Sequence, residues 1–74
     1  MKFTTESGTV YEHDEVTKRV RRLGGDGMRR DGEWIQLIGG ITVEVGQRVF
    51  MMLEPLGEGD YTFRSTTPVV EIQP

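Results

Sequence analysis

Turn-forming residues interrupt this chain every eight to twelve positions, and the stretches between them alternate apolar and polar side chains. That spacing predicts a small all-β domain, because side chains of period two line one face of a strand and glycine, proline and aspartate supply the reversals. "KFTTE" meets the turn pair Ser7-Gly8, and "TVYEH" runs back from it with Val10 and Tyr11 as its apolar residues. "WIQLI" lies between Asp31-Gly32 and Gly39-Gly40. Asp-Gly between extended segments favours a two-residue turn, which predicts a hairpin of Met28 to Arg30 against Glu33 to Ile35. "ITVEV" alternates strictly, with Ile41, Val43 and Val45 on one face, and Gly46 ends it. "QRVFMML" is apolar on both faces, a pattern suited to the centre of a doubly covered sheet. Pro55 stops it, "LGEGD" turns the chain, "YTFRS" resumes, and "VVEI" follows Pro68 as a short last strand.

At 74 residues the chain fits a single domain spanning 1–74. A chain of that size buries about 60% of its unfolded surface, so the core is thin and a deep enclosed cavity is not expected. The expected architecture is an SH3-like or related small barrel of five to seven short antiparallel strands. Its core is drawn from Val10, Tyr11, Val20, Trp34, Ile35, Leu37, Val43, Val49, Met51, Leu53, Phe63, Val69 and Ile72. With no cysteine, thiol catalysis, disulfides and thiolate metal sites are excluded together. The longest apolar runs, such as "VFMML", fall far short of the roughly 20 residues that span a bilayer. "MKFTTESG" lacks the apolar segment of a signal peptide. A cytoplasmic protein with no membrane partner is the expectation.

Residues 14 to 23, "DEVTKRVRRL", read in two ways. Val16, Val20 and Leu23 are spaced for one helical face, Asp14 suits an N-cap, and Arg21 and Arg22 suit the helix end, giving a short helix at about 15–23. Alternatively "EVTK" is a turn, and "TVYEHD" and "RVRRL" are the arms of a hairpin. Two valines in so short a stretch lower its helix propensity.

Charge is unevenly placed along a chain of net charge −3. Lys18 and five arginines stand against three acids in residues 17 to 43, while acids predominate on either side. Arg19, Arg21, Arg22, Arg29 and Arg30, with Trp34, form one candidate binding face if neighbouring hairpins bring them together. Guanidinium forks match phosphates and carboxylates equally well, so the cluster fits an acidic protein or a nucleic acid. The competing structural reading has these arginines lying over a small barrel and pairing with its acids, while Trp34 fills the core.

Other candidates carry less. His13 lies among carboxylates in "EHDE", but neighbours in a strand face opposite ways, so only two side chains converge, too few for a metal site. "GGDGMRR" resembles an anion nest but lacks the Lys-Ser/Thr ending of a phosphate loop. Ser65, Thr66 and Thr67 have no histidine near them in sequence. No enzyme activity and no cofactor are expected.

The strings "TESGTVYEHD", "VRRL", "RRDGEW" and "STTPVVEI" together resemble small proteins encoded by bacteriophages of actinobacteria, mycobacteriophages in particular. The likeness covers most of the chain. That group shares a Tyr-Glu-x-Asp step before Val-Arg-Arg, a Gly-Glu-Trp step and a Thr/Ser-x-Pro-Val ending. Here the variable position of the first step is His13, where an aliphatic residue is usual. The resemblance implies a phage accessory protein of the host cytoplasm, favours the hairpin reading of residues 14 to 23, and transfers no functional residue. The leading expectation is therefore a non-enzymatic module that binds a host protein through an exposed face or strand edge. Nucleic-acid binding and a structural homo-oligomer or minor virion role are the alternatives.

Overall fold

Two tight reversals build the first half of the fold. In the computed structural model, which describes residues 1–23 and 32–74, β1 (Lys2–Thr5), β2 (Val10–Asp14) and β3 (Arg19–Leu23) form an antiparallel meander. Gly8 takes φ 86°, a left-handed conformation that costs glycine nothing, and its N–H closes the first turn on the Thr5 carbonyl at 2.8 Å. At the second turn the Asp14 carboxylate accepts from the main-chain N–H groups of Val16 at 2.9 Å and Thr17 at 3.2 Å. Lys18 follows at φ 56°. That left-handed residue breaks any helix, so of the two readings of residues 14 to 23 the hairpin stands and the alternative short helix at about 15–23 is absent. Val16, proposed for the apolar face of the helix, instead sits 92% exposed at the tip.

β7 (Val69–Gln73) pairs with β1, and β4 (Ile35–Gln36) pairs with β3, completing a five-stranded sheet in the order β4-β3-β2-β1-β7. One face of this sheet is the floor of the core. Phe3 lies opposite both Tyr11 and Ile72, and the Phe3 and Tyr11 rings stack at 5.1 Å. In the next row His13 stands opposite Val20, and Val20 opposite Ile35. The Met28–Arg30 arm expected to pair across Asp31-Gly32 lies outside the described residues.

β5 (Phe50–Leu53) and β6 (Thr62–Ser65) form a second, two-stranded antiparallel sheet. Two seams join it to the first. On one side Leu37 bridges Leu53, flanked by bonds from Ile38 N–H to the Met52 carbonyl at 2.8 Å and from Glu54 N–H to the Gln36 carbonyl at 2.9 Å. On the other, Val45 bridges Val69, and Val69 N–H donates to Gln47 at 2.9 Å. Val49, Met51, Leu53 and Val69 are wholly buried between the sheets, beside Phe3, Tyr11, Val20, Ile35 and Leu37.

The all-β expectation holds, with four corrections. Residues 41 to 45 are not a strand: only Val45 makes a bridge, although Ile41 and Val43 are half-buried against the core. Alternation reports which side chains face inward, and an irregular segment laid across a core satisfies it without a ladder. Trp34 and Val10 are half-buried, not central, and Phe63 is exposed. Phe3, absent from the expected core, is 1% exposed because β1 is a central strand with neighbours on both sides. The doubly covered strand expected in "QRVFMML" is covered on one face only.

Candidate functional site

The arginine cluster is divided by the pleat of β3. Arg19 and Arg21 share the outer face of the sheet, while Arg22 turns inward with Val20 and is 9% exposed, so it does not join the single binding face expected of the cluster. Arg21 is opposite Glu12 in register, and its Nη2 donates to Glu12 Oε1 at 2.6 Å with Nε at 3.1 Å. The same guanidinium lies over the Trp34 ring, 4.7 Å from its centroid. This contact follows from register: Ile35 faces Val20 and Gln36 faces Arg19, so Trp34 continues the pairing opposite Arg21. A carboxylate on one side and an indole face on the other occupy Arg21. Of the three described arginines of the cluster, only Arg19 is exposed. Arg29 and Arg30 lie outside the described residues.

Beside Trp34 is an open depression of about 740 Å³, lined in part by Glu12, His13, Asp14, Glu15 and Ile72. Among the described residues that line it there is no hydroxyl or thiol nucleophile. His13 Nδ1 is screened from solvent and, among the described residues, makes no hydrogen bond. The Thr17 N–H bond, with that from Val16, holds the Asp14 carboxyl below its ordinary value. Among the described residues no three histidine or acidic side chains gather to hold a metal ion.

The second surface was not anticipated. β5 pairs with β6 in the register Phe50 with Ser65, Met51 with Arg64, Met52 with Phe63 and Leu53 with Thr62. Met51 and Leu53 point into the core, so Phe50, Met52 and Phe63 point out, at 58%, 40% and 59% exposure. Tyr61 continues the row at 53%. The Phe50 and Phe63 rings stack across the strands with centroids 6.1 Å apart, and Ile38 lies exposed beside Met52. Aromatic side chains gathered on one solvent-facing patch are uncommon on a monomer and mark contact surfaces. Part of the signal is in the sequence: β5 is apolar at every position, more than the one buried face of a strand can accept, and Tyr61 and Phe63 alternate with Thr62 and Arg64.

No family model matches this chain, and neither a curated protein nor a solved structure matches it significantly. Among the described residues no helix is long and apolar enough to cross a membrane.

Proposed function

We propose that this chain is a non-enzymatic interaction module, a phage accessory protein of the host cytoplasm that docks on a host protein through the aromatic face of β5 and β6. The observation that carries this reading is the row of Phe50, Met52, Phe63 and Tyr61, each at least 40% exposed on one side of a two-stranded unit. Burying such side chains against a partner gains about 25 cal/mol per Å² of apolar surface, and aromatic anchors dominate protein interfaces. The placement of Arg21 and Arg22 weighs against a nucleic-acid interface, since one is paired with Glu12 and the other is turned inward. The two seams between the sheets support reading the architecture as a small SH3-like barrel, a scaffold that leaves loops and one strand edge free.

The test is a pull-down from mycobacterial lysate with wild type and with Phe50→Ser/Met52→Ser. Both positions are exposed on β5, so the variant is expected to fold, losing about 0.5–1.5 kcal/mol with the Phe50–Phe63 stack and about 0.5 kcal/mol or less at Met52. A host protein retained by wild type and lost by the variant is the expected result. Recovery of the same proteins by both forms would remove the aromatic face as the contact.

A further inference from the structure

β6 hydrogen-bonds to β5 on one side, and among the described residues no strand covers its other side. Its open edge is read in the sequence Asp60-Tyr61-Thr62-Phe63-Arg64. Reversed, that string runs cation, aromatic, threonine, aromatic, anion, so it complements itself. We propose that a second copy of this chain pairs antiparallel along the β6 edge about a two-fold axis through Thr62. Asp60 then faces the partner's Arg64, and Tyr61 faces the partner's Phe63. The proposal rests on the reading of the β5–β6 unit as a contact surface and names the occupant of its edge.

The backbone fixes which registers are open. The bonds from Ile38 to Met52 and from Glu54 to Gln36 flank the Leu37–Leu53 bridge, so Leu53 directs its own N–H and C=O toward β6. At the other end, Thr66 N–H donates to the Val49 carbonyl at 3.0 Å. Both place Thr62 and Arg64 in hydrogen-bonded pairs with β5, leaving the N–H and C=O of Tyr61 and Phe63 aimed at the open edge. A symmetric antiparallel pairing must match outward backbone with outward backbone, and outward side chains with outward side chains. Only axes passing through a residue do so, because an axis between residues mates opposite parities.

Axes through Thr62, Phe63 and Arg64 all meet this condition. One through Arg64 sets two guanidinium groups opposite each other, a destabilising pair. One through Phe63 sets Thr62 against Arg64 and Tyr61 against Ser65, leaving both charges without a directly opposed partner. The axis through Thr62 makes two aspartate–arginine pairs, two aromatic pairs and a threonine pair, each of a stabilising kind. Within one chain Asp60 and Arg64 are about 13 Å apart when extended, too far to meet. Among the described residues neither has an ion-pair partner. Pairing extends β6 back to Asp60 and merges two β5–β6 units into one four-stranded sheet, with the aromatic faces of both copies contiguous. No proline or lysine guards this edge, as strand edges kept single commonly are.

The deciding measurement is sedimentation equilibrium on wild type, Asp60→Arg, Arg64→Asp and the double swap Asp60→Arg/Arg64→Asp, with circular dichroism confirming the fold of each. Wild type is expected to form a dimer, each single change to raise its dissociation constant at least tenfold, and the double swap to return it to within about threefold. Because the chain has no cysteine, an introduced thiol reports the register: Thr62→Cys is expected to oxidise to a covalent dimer and Phe63→Cys is not. A monomeric wild type, single changes without effect, a double swap that fails to restore, or a crosslink at 63 instead of 62 each overturns the proposal. The substitutions Phe50→Ser/Met52→Ser lie on β5, off the edge. A monomer that still loses its captured protein through them refutes the dimer alone, and a dimer whose capture ignores them refutes the docking face alone.

Discussion

Thr66 shows how a single hydroxyl does the work of a backbone group. Its Oγ1 accepts from Val49 N–H at 3.0 Å and donates to the Thr67 carbonyl at 2.6 Å, at a site where the ladder between the strands is ending. The residue is 5% exposed, so removing the hydroxyl strands a buried donor. Thr66→Val is expected to cost about 1–3 kcal/mol, while Thr66→Ser, which keeps the oxygen, costs less. Urea unfolding checks this as a fall in midpoint without a change in slope. Asp14 acts at a half-buried turn. Because folding favours its ionised form, its contribution is complete above the ordinary value of 3.8 and disappears as pH drops through the lower value of the folded chain. The gap in melting temperature between wild type and Asp14→Ala is therefore expected to hold steady from neutral pH down toward 3.8, then to narrow in more acid solution. A gap that widens on acidification would assign the turn to something other than the carboxylate. Both sites were partly legible in the sequence. Asp14 was weighed as a cap, and it does satisfy main-chain donors, but those of a turn, because Lys18 can enter the left-handed region. The structural role of Thr66 was not legible, since nothing local in "STTP" marks a hydroxyl as facing the core.

At the scale of elements, β5 is two surfaces on one strand. Leu53 is wholly buried and its neighbour Met52 is 40% exposed. Leu53→Ala is expected to cost about 2–5 kcal/mol, a large share of the roughly 4–11 kcal/mol available to a domain of this length. Met52→Ser, one residue away, is expected to cost about 0.5 kcal/mol or less. Thermal melts of the two variants side by side test the assigned phase, and equal losses would mean that β5 is covered on both faces. Turn chemistry and alternation made β1, β2, β5, β6 and β7 legible, since each is bounded on at least one side by a glycine or proline signal and carries its own period. The failures share one cause. Residues 41 to 45 and the outward side of β5 and β6 depend on what lies across from them, and no local pattern states whether a neighbour exists. The split of the arginines was in principle readable, because consecutive residues of a strand face opposite ways and Arg21 and Arg22 are consecutive. It was obscured while helix and hairpin both stood.

For the molecule as a whole, the candidate site moved from a basic cluster to an aromatic face once the strands were assembled. The radius of gyration is 11.5 Å, close to the roughly 11 Å expected for a folded chain of this length. So thin a body leaves little interior in which to hide six aromatic rings, and part of the apolar content must be shown to solvent or to a partner. The sheet order carries a further meaning. β1, built from the first residues, reaches its final neighbour only through β7, with Lys2 set against Gln73. Contacts between such distant residues demand the closure of nearly the whole chain and slow the search for the native state. β1 is therefore paired on one side only until β7 docks. Until that closure the outer side of β1 is an open edge that another unfolded chain can fill, so refolding at high concentration is expected to divert chains into aggregates.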